Sequence, residues 1–218
     1  MDLGIYGSGG LGREVVELAK QINTVTKRWE NIVFVDDHPN VMTKNGIKIL
    51  TFSEVLASYS KNKIEISIAI GEPEIRKMIC EKVINKGYCL ATLIHPQVHI
   101  PETTEILSGA TINIFSFVSC NVKIGSNVYI QPQTLIGHDC TIGDHCVISP
   151  CAALAGSCSV GECSYVGMGV RSKEKTQIGS SSIVGMGSVV LNNIPENVIA
   201  IGNPARVLKF NDEKRVFK

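Results

Sequence analysis

The spacing of apolar residues follows two different rules along the chain. Stepping by six from Ile94 lands on Ile94, Ile100, Ile106, Ile112, Val118, Ile124, Ile130, Ile136, Ile142, Ile148, Leu154, Val160, Val166, Ser172, Ile178, Val184 and Val190. Sixteen of these seventeen positions are Ile, Val or Leu, so the period is structural rather than accidental. A period of six is neither a helix nor a hairpin array. It fits a parallel β-helix in which each flat face takes one hexapeptide and three faces close one coil. Two residues before the aliphatic, small side chains recur, among them Ala110, Ser116, Thr134, Cys140, Cys146, Ala152, Cys158, Ser164, Ser182 and Ser188. Such residues suit the narrow inner corners of a prism. One residue after it, glycine recurs at Gly125, Gly137, Gly143, Gly161, Gly167, Gly179 and Gly185, which predicts bends that need a positive φ. The break in pattern from Ser172 to Lys175 predicts an irregular corner or a small loop.

Ahead of the repeats, the apolar pattern predicts a strand over 3–6, a helix over about 12–22, strands over 32–35 and 64–70, and a helix over 73–86. That order implies βαβ units around a small parallel sheet. The strands end in Gly7, Asp36-Asp37 and Gly71, on the sheet edge where α/β proteins collect ligands. The expected organisation is an α/β, Rossmann-like nucleotide-binding domain over 1–93, a β-helix over 94–194 and a C-terminal cap over 195–218. The first domain is expected to cap one end of the solenoid and the tail the other, since open ends leave strands unpaired.

Charge sharpens this division: 23 charged residues fall in positions 1–93 but nine in positions 104–190. Faces so poor in charge predict contact with further copies of the chain, and a three-sided prism allows a threefold ring, hence a homotrimer. A formal net charge of +1 and 6% aromatic residues give no basis for nucleic-acid binding. The chain lacks a signal-peptide pattern and any apolar run near the roughly 20 residues that span a bilayer, so a soluble cytoplasmic protein without membrane contact is expected. Eight cysteines with no C-x-x-C pair argue against zinc ribbons and redox motifs, and Cys140, Cys146 and Cys158 take inward packing positions.

Two clusters carry candidate chemistry. Gly7-x-Gly9-x-x-Gly12 follows a strand and opens a helix, so Gly7, Ser8, Gly9, Gly10 and Gly12 form a candidate phosphate cradle in which helix N–H groups meet the anion. Asp36, 24 residues after Gly12, stands where a ribose-binding acid would, with Asp37 and Gly71 beside it. A dinucleotide such as NAD is the rival, but some 90 residues are too few for two mononucleotide-binding halves. The second cluster is His138-Asp139, two residues past an inward aliphatic and free of the core; imidazole titrates close to neutral pH and suits a general base. His145, three residues past Ile142, is expected to make only a surface or intersubunit contact.

Four stretches resemble a known group: Gly7 to Glu14, Asp36-Asp37, Ile136-Gly137-His138-Asp139-Cys140 and Gly202-Asn203-Pro204-Ala205. The chain is similar to acyltransferases of the left-handed β-helix, hexapeptide-repeat superfamily. Within it the likeness is to two-domain nucleotide-sugar acetyltransferases, whose relatives include sialic acid O-acetyltransferases and N-acetyltransferases of bacillosamine, perosamine and viosamine pathways. The resemblance implies left-handed coiling, against the usual right-handed preference. It also implies acetyl-CoA as co-substrate, lying in a groove between adjacent β-helices, and direct acetyl transfer to an amino group of a nucleotide-linked deoxysugar. His138 is implied as general base and Asp139 as its orienting acid. The resemblance also implies that the Gly156 amide polarises the thioester carbonyl and that Gly185, Met186 and Gly202 line the CoA arm; for Arg206 and Lys209 it leaves two readings, contact with the CoA phosphates or a solvated surface. Where the family often has His, this chain has Leu11, which removes a side-chain contact but leaves the backbone cradle. Two alternatives stay open, a sugar-hydroxyl O-acetyltransferase and a non-catalytic sugar-nucleotide-binding trimer. The same solenoid supports zinc-dependent carbonic anhydrases, but the histidines of the repeat region, His95, His99, His138 and His145, do not group as three ligands would, so no metal is expected.

Overall fold

A computed structural model describes residues 1–217. The first domain runs β1 (Asp2–Tyr6), α1 (Gly10–Thr26), β2 (Ile32–Val35), β3 (Thr43–Lys44), β4 (Ile47–Leu50), α2 (Phe52–Ser58), β5 (Ile64–Ile68), α3 (Pro73–Asn85) and β6 (Cys89–Leu90). Its sheet has the order β3-β4-β2-β1-β5-β6, parallel except for the β3–β4 hairpin. The apolar stripe of α1 (Val15, Val16, Leu18, Ala19, Ile22) is buried against β1 and β2. A capping box at Thr51 and Glu54 starts α2, a helix too short for periodicity to reveal.

The repeats form a left-handed parallel β-helix with three faces. The first face begins with Leu93–Ile94 and Thr111–Ile112, the second with Phe117–Val118 and the third with Glu105–Ile106. Partners along each face are one coil of 18 residues apart, as in Ile136 on Leu154. Nearly every aliphatic of the six-residue series points inward and is buried; Ile100 packs partly buried on the core outside any strand. Ser172 keeps the ladder: Arg171–Ser172 pairs in register with Ala153–Leu154 and with Val189–Val190. The expected irregular corner is therefore absent. The inward Ser172 hydroxyl accepts the Ala155 N–H at 3.2 Å and lies 3.1 Å from Cys158 Sγ, so local partners satisfy a hydroxyl where the pattern has an aliphatic.

The repeating glycines have a different cause from the one expected. Left-handed backbone falls three residues after most inward positions of the six-residue series, at Asn121 (φ 56°), Asn127 (φ 53°), Asp139 (φ 60°) and Lys175 (φ 62°) among others. The glycines directly after the aliphatics are needed for room. A Cβ on Gly137 would stand 2.7 Å from the Gly156 nitrogen, and one on Gly143 would stand 2.6 Å from the Glu162 nitrogen. The small inward residues also bond: Cys140 Sγ donates to Ala155 O (3.1 Å), Cys146 Sγ to Gly161 O (2.9 Å) and Ser164 Oγ to Gly179 O (2.8 Å). Each hydroxyl or thiol thus satisfies a corner carbonyl of the following coil.

The first domain leans on a flank of the solenoid rather than capping its end. Outward Tyr129 and Val147 of the first face are buried in one cluster with Leu3, Val15, Ala19 and Leu93, and Tyr165 packs against it. Burying these outward apolar side chains, an aromatic ring among them, favours contact on the flank. The tail continues the first face with Val198–Ile201, parallel to Ile183–Val184, and folds back as Arg206–Phe210. Its last described residues reach the first domain, where Val216 and Phe217 donate backbone N–H bonds to the Glu72 carboxylate at 2.7 and 3.1 Å.

Candidate active site

The turn after β1 builds a cradle. Gly7 has φ +114°, and a Cβ there would lie 2.7 Å from Ala69 O. Gly12 packs against the Gly7 carbonyl so closely that no side chain fits, and it is buried. Gly12 therefore serves helix–strand packing and is not a ligand-facing residue. Gly9 caps α1 without a side-chain bond, and a Cβ at Gly9 would meet nothing within 4 Å, so the space beside the first turn of the helix is open. Ser8 Oγ donates to Asp36 Oδ2 at 2.5 Å, and Asp36 Oδ1 accepts the His38 N–H at 3.1 Å.

Beside this turn opens a cleft of about 440 Å³, lined by Gly7, Asp36, Ile70, Met78 and Lys82 among others. Tyr6 and Asp37 form its floor. Asp37 Oδ2 accepts from Tyr6 Oη (2.5 Å) and Lys82 Nζ (2.6 Å), and Oδ1 accepts the Phe52 N–H (3.1 Å). Burial alone would raise the Asp37 carboxyl, but the bonds from Lys82, Tyr6 and Phe52 hold it below the usual carboxylate range. Burial and the Asp37 carboxylate push the Tyr6 phenol up. With its oxygens engaged in this way, Asp37 shapes the floor, while Asp36 is the acid at the rim. Gly71 does not line the cleft; the Phe217 ring covers it, 3.4 Å from where a Cβ would stand.

His138 lies at the corner between the second and third faces, more than half exposed. Its Nδ1 is 2.7 Å from Asp139 Oδ2, and Asn121, one coil earlier, donates from Nδ2 to Asp139 Oδ1 at 3.1 Å. Hydrogen bonds from His138 and Asn121 hold the Asp139 carboxyl below its ordinary range. That partner assigns the Nδ1 proton and leaves Nε2 as acceptor. Gly156 follows one coil later, where a Cβ would stand 2.5 Å from the imidazole, so only glycine lets backbone lie beside this ring. Cys120 precedes His138 by one coil at the same corner and is exposed.

The other expected CoA contacts lie elsewhere on the chain. Gly185 and Met186 line a cavity of about 680 Å³ at the corner between the first and second faces, with Glu14, Tyr165, Met168 and Phe217. Gly202 (φ +101°) forms the tail turn, and Arg206 and Lys209 are exposed on the strand after it. Within one chain, neither this cavity nor the 440 Å³ cleft includes His138.

His145 corrects its expectation: it is buried, Nδ1 lying 3.1 Å from Asn127 Nδ2, and burial lowers its pKa from the ordinary value. Its neighbour Arg76 was not singled out from the sequence, because its partners are up to 51 residues away. His95 is also buried, with Nε2 2.6 Å from Gln21 Oε1. Among the described residues, no three His, Cys, Asp or Glu side chains are grouped to hold a metal ion.

A cradle on an α/β domain and an exposed His–Asp pair on a hexapeptide solenoid define a two-domain transferase of the β-helix class. Known proteins agree. The PglD N-terminal domain family matches residues 2–83, and the bacterial transferase hexapeptide family (six repeats) matches residues 121–156. The acetyltransferase domain of PglB from Neisseria gonorrhoeae FA1090 is 31% identical, with a TM-score of 0.88 over 95% of this chain and 99% of that one. PerB from Caulobacter crescentus, solved with CoA and GDP-perosamine, is 28% identical, with a TM-score of 0.86 over 95% and 97% of the two chains. GDP-perosamine N-acetyltransferase of Escherichia coli O157:H7 is 33% identical over 139 residues, which are 63% of this chain and 62% of that relative. The match thus spans less than two thirds of the curated relative. The chain belongs to the hexapeptide-repeat acetyltransferase family that carries a PglD-type N-terminal domain.

Proposed function

We propose that this protein transfers acetyl from acetyl-CoA to the amino group of a nucleotide-linked amino-deoxysugar. The observation that carries this reading is the His138–Asp139 pair held at 2.7 Å beside Gly156, on a chain that also presents a nucleotide-sized cleft. The relative from Caulobacter crescentus was solved with CoA and GDP-perosamine, and the PglB domain with acetyl coenzyme A. Those partners supply both substrate classes.

The nucleotide sits in the cleft, with its phosphates toward the N-terminus of α1 and Asp36 at the rim. The acceptor nitrogen attacks the thioester carbonyl and gives its proton to His138 Nε2, while Asp139 steadies the Nδ1 proton and the developing imidazolium. The carbon–sulfur bond breaks as the tetrahedral intermediate collapses, and the His138 imidazolium returns its proton to the departing sulfur, so that CoA leaves as the thiol and the base is regenerated. The Gly156 amide stabilises the oxyanion, and Gly185, Met186 and Gly202 line the CoA arm, with Arg206 and Lys209 near its phosphates. Both substrates bind before transfer, so no acyl-enzyme is required.

One chain keeps its cradle on the first face and His138 at the opposite corner, so the complete site forms between protomers. The second face offers exposed Phe117 and Leu135 to a neighbour, and the proposed assembly is a homotrimer. No described helix is long and apolar enough to cross a membrane, and all eight cysteines are free thiols, in keeping with a proposed cytoplasmic location. The test is CoA release with a panel of GDP-, UDP- and dTDP-linked aminosugars. Turnover with one of them supports the reading. Turnover only with a sugar hydroxyl, as in sialic acid, replaces it.

A further inference from the structure

Helix α3 stands between the cleft and the solenoid. On one side Met78, Ile79 and Lys82 line the cleft. On the other, Arg76 is fully buried at the domain boundary. Its Nη1 donates to Ile68 O (2.6 Å) and Ile70 O (3.0 Å), and its Nη2 to Asn127 O (2.6 Å) and Asn127 Oδ1 (2.7 Å). Nε adds a longer bond to Asn127 O at 3.3 Å. In return Asn127 Nδ2 donates to the Arg76 carbonyl at 3.2 Å. The guanidinium lies 5.4 Å from the Tyr129 ring centroid.

None of these partners is a carboxylate. A buried charge without a counter-ion adds little to stability, and an apolar side chain of similar size would fill the space at less cost. A planar fork supplies geometry, since its donors lie at fixed angles and fix whatever they bond. Ile68 ends β5, and Ile70, two residues further on, lines the cleft wall. Asn127 occupies a left-handed solenoid corner at φ 53° and is fully buried. One side chain therefore locks the wall of the cleft to the framework that carries His138.

We propose that Arg76 and Asn127 are positioning residues that set the angle between the nucleotide cleft and the solenoid, and so bring the acceptor amine within reach of a His138 imidazole. The proposal rests on the acetyl-transfer function given above. Neither residue touches substrate in this account. A displacement of about 1 Å at the reacting atoms lowers a rate by about 10²-fold, so loss of the lock acts on the chemical step.

The test compares Arg76→Met, Arg76→Lys and Asn127→Gly with the parent protein. Glycine tolerates the left-handed conformation at 127 and deletes only the side chain of that corner. Three quantities are measured: kcat for the sugar-nucleotide acceptor, the Kd of acetyl-CoA, and the Kd of whichever of GDP, UDP and dTDP the parent binds best. Arg76→Met is expected to lower kcat by about 10- to 100-fold with both Kd values within about twofold, and Asn127→Gly by about 10-fold. Arg76→Lys keeps the charge but not the fork and should recover only part of the loss. The Arg76→Met, Asn127→Gly double variant should be little worse than Arg76→Met, because both act through one contact.

Full activity in folded Arg76→Met, full rescue by lysine, or a fall in nucleotide affinity as large as the fall in kcat would overturn the proposal. If Arg76→Met does not fold, Asn127→Gly carries the same test. Failure of both to fold would overturn it too, by making the contact a requirement of the fold. His138→Ala serves as the control on the parent reading. If it retains full kcat the base assignment fails, whatever the Arg76 variants do.

Discussion

His138 Nδ1 stands 2.7 Å from Asp139 Oδ2 although the two residues are adjacent in sequence. The left-handed backbone at Asp139, φ 60°, turns its carboxylate back onto the ring, and Asn121 from the previous coil holds the other oxygen. The solenoid thus makes a hydrogen-bonded His–Asp pair out of neighbours by a repeated corner geometry.

That pair sets a pH expectation. Because its hydrogen bonds lower the Asp139 carboxyl, the group stays ionised as pH falls through the range where free carboxylates begin to protonate. Activity lost on mild acidification is therefore not due to Asp139, which is still charged. Asp139→Asn should lower kcat by about 10-fold, less than the 10²- to 10⁴-fold expected for loss of the general base itself. A pH–rate series on both proteins checks this. Unchanged kcat in Asp139→Asn would remove the orienting role.

Asp36 is joined to Ser8 across the mouth of the cradle. Asp36→Ala should raise KM for the sugar nucleotide about 10-fold and leave the KM of acetyl-CoA within about twofold, since only one substrate uses that rim. Steady-state kinetics with each substrate varied in turn would show this split. An equal rise in both constants would contradict it.

Cysteine chemistry divides by place. Cys140 and Cys146 are buried and donate to carbonyls of the next coil, while burial pushes the Cys146 thiol up to about 12. Neither should be alkylated in the folded protein. Cys120 is exposed one coil from His138, so a bulky maleimide there should block turnover, whereas Cys120→Ser should keep kcat within about twofold because no step uses the thiol. Mass spectrometry of modified protein alongside activity tests both statements. An acetyl-thioester trapped on any cysteine during turnover would show that transfer is not direct.

Glycine positions separate close approach from backbone freedom. Gly137→Ala forces a Cβ to 2.7 Å from neighbouring backbone and should cost about 1–3 kcal/mol, as overpacking does. Gly169 has φ +68° with nothing within 4 Å of a Cβ, so Gly169→Asn should cost about 1 kcal/mol or less. Denaturant midpoints compare the two. The reverse order would mean that the coils are not packed as described.

The repeat region was legible because inward aliphatics return every six residues, a periodicity that needs no long-range information. The same reasoning misassigned the glycines: sequence spacing shows that a residue is small but not whether the cause is φ or a neighbouring coil. It also misjudged Ser172, whose hydroxyl finds Ala155 and Cys158 only in the folded ladder. The three-residue offset of His145 from Ile142 matches the outward turn of other corners, hence the expectation of a surface or intersubunit contact; here Asn127 and Arg76 of the same chain stand beside it. The cradle and the His138–Asp139 pair could be read locally, since each lies within a few residues. Arg76 could not, since its contacts with Asn127 cross 51 positions and two domains.

The central claim is that His138 removes the proton of a sugar-nucleotide amine during acetyl transfer. It is tested most directly by single-turnover acetylation of the nucleotide-linked aminosugar that the panel shows to be accepted, with acetyl-CoA as donor, comparing the parent with His138→Ala at saturating concentrations of both substrates. The account predicts N-acetyl product from the parent and a rate about 10²- to 10⁴-fold lower in the variant, with nucleotide and acetyl-CoA affinities preserved. Equal rates in the two proteins, or product formed only on a sugar hydroxyl, would contradict it.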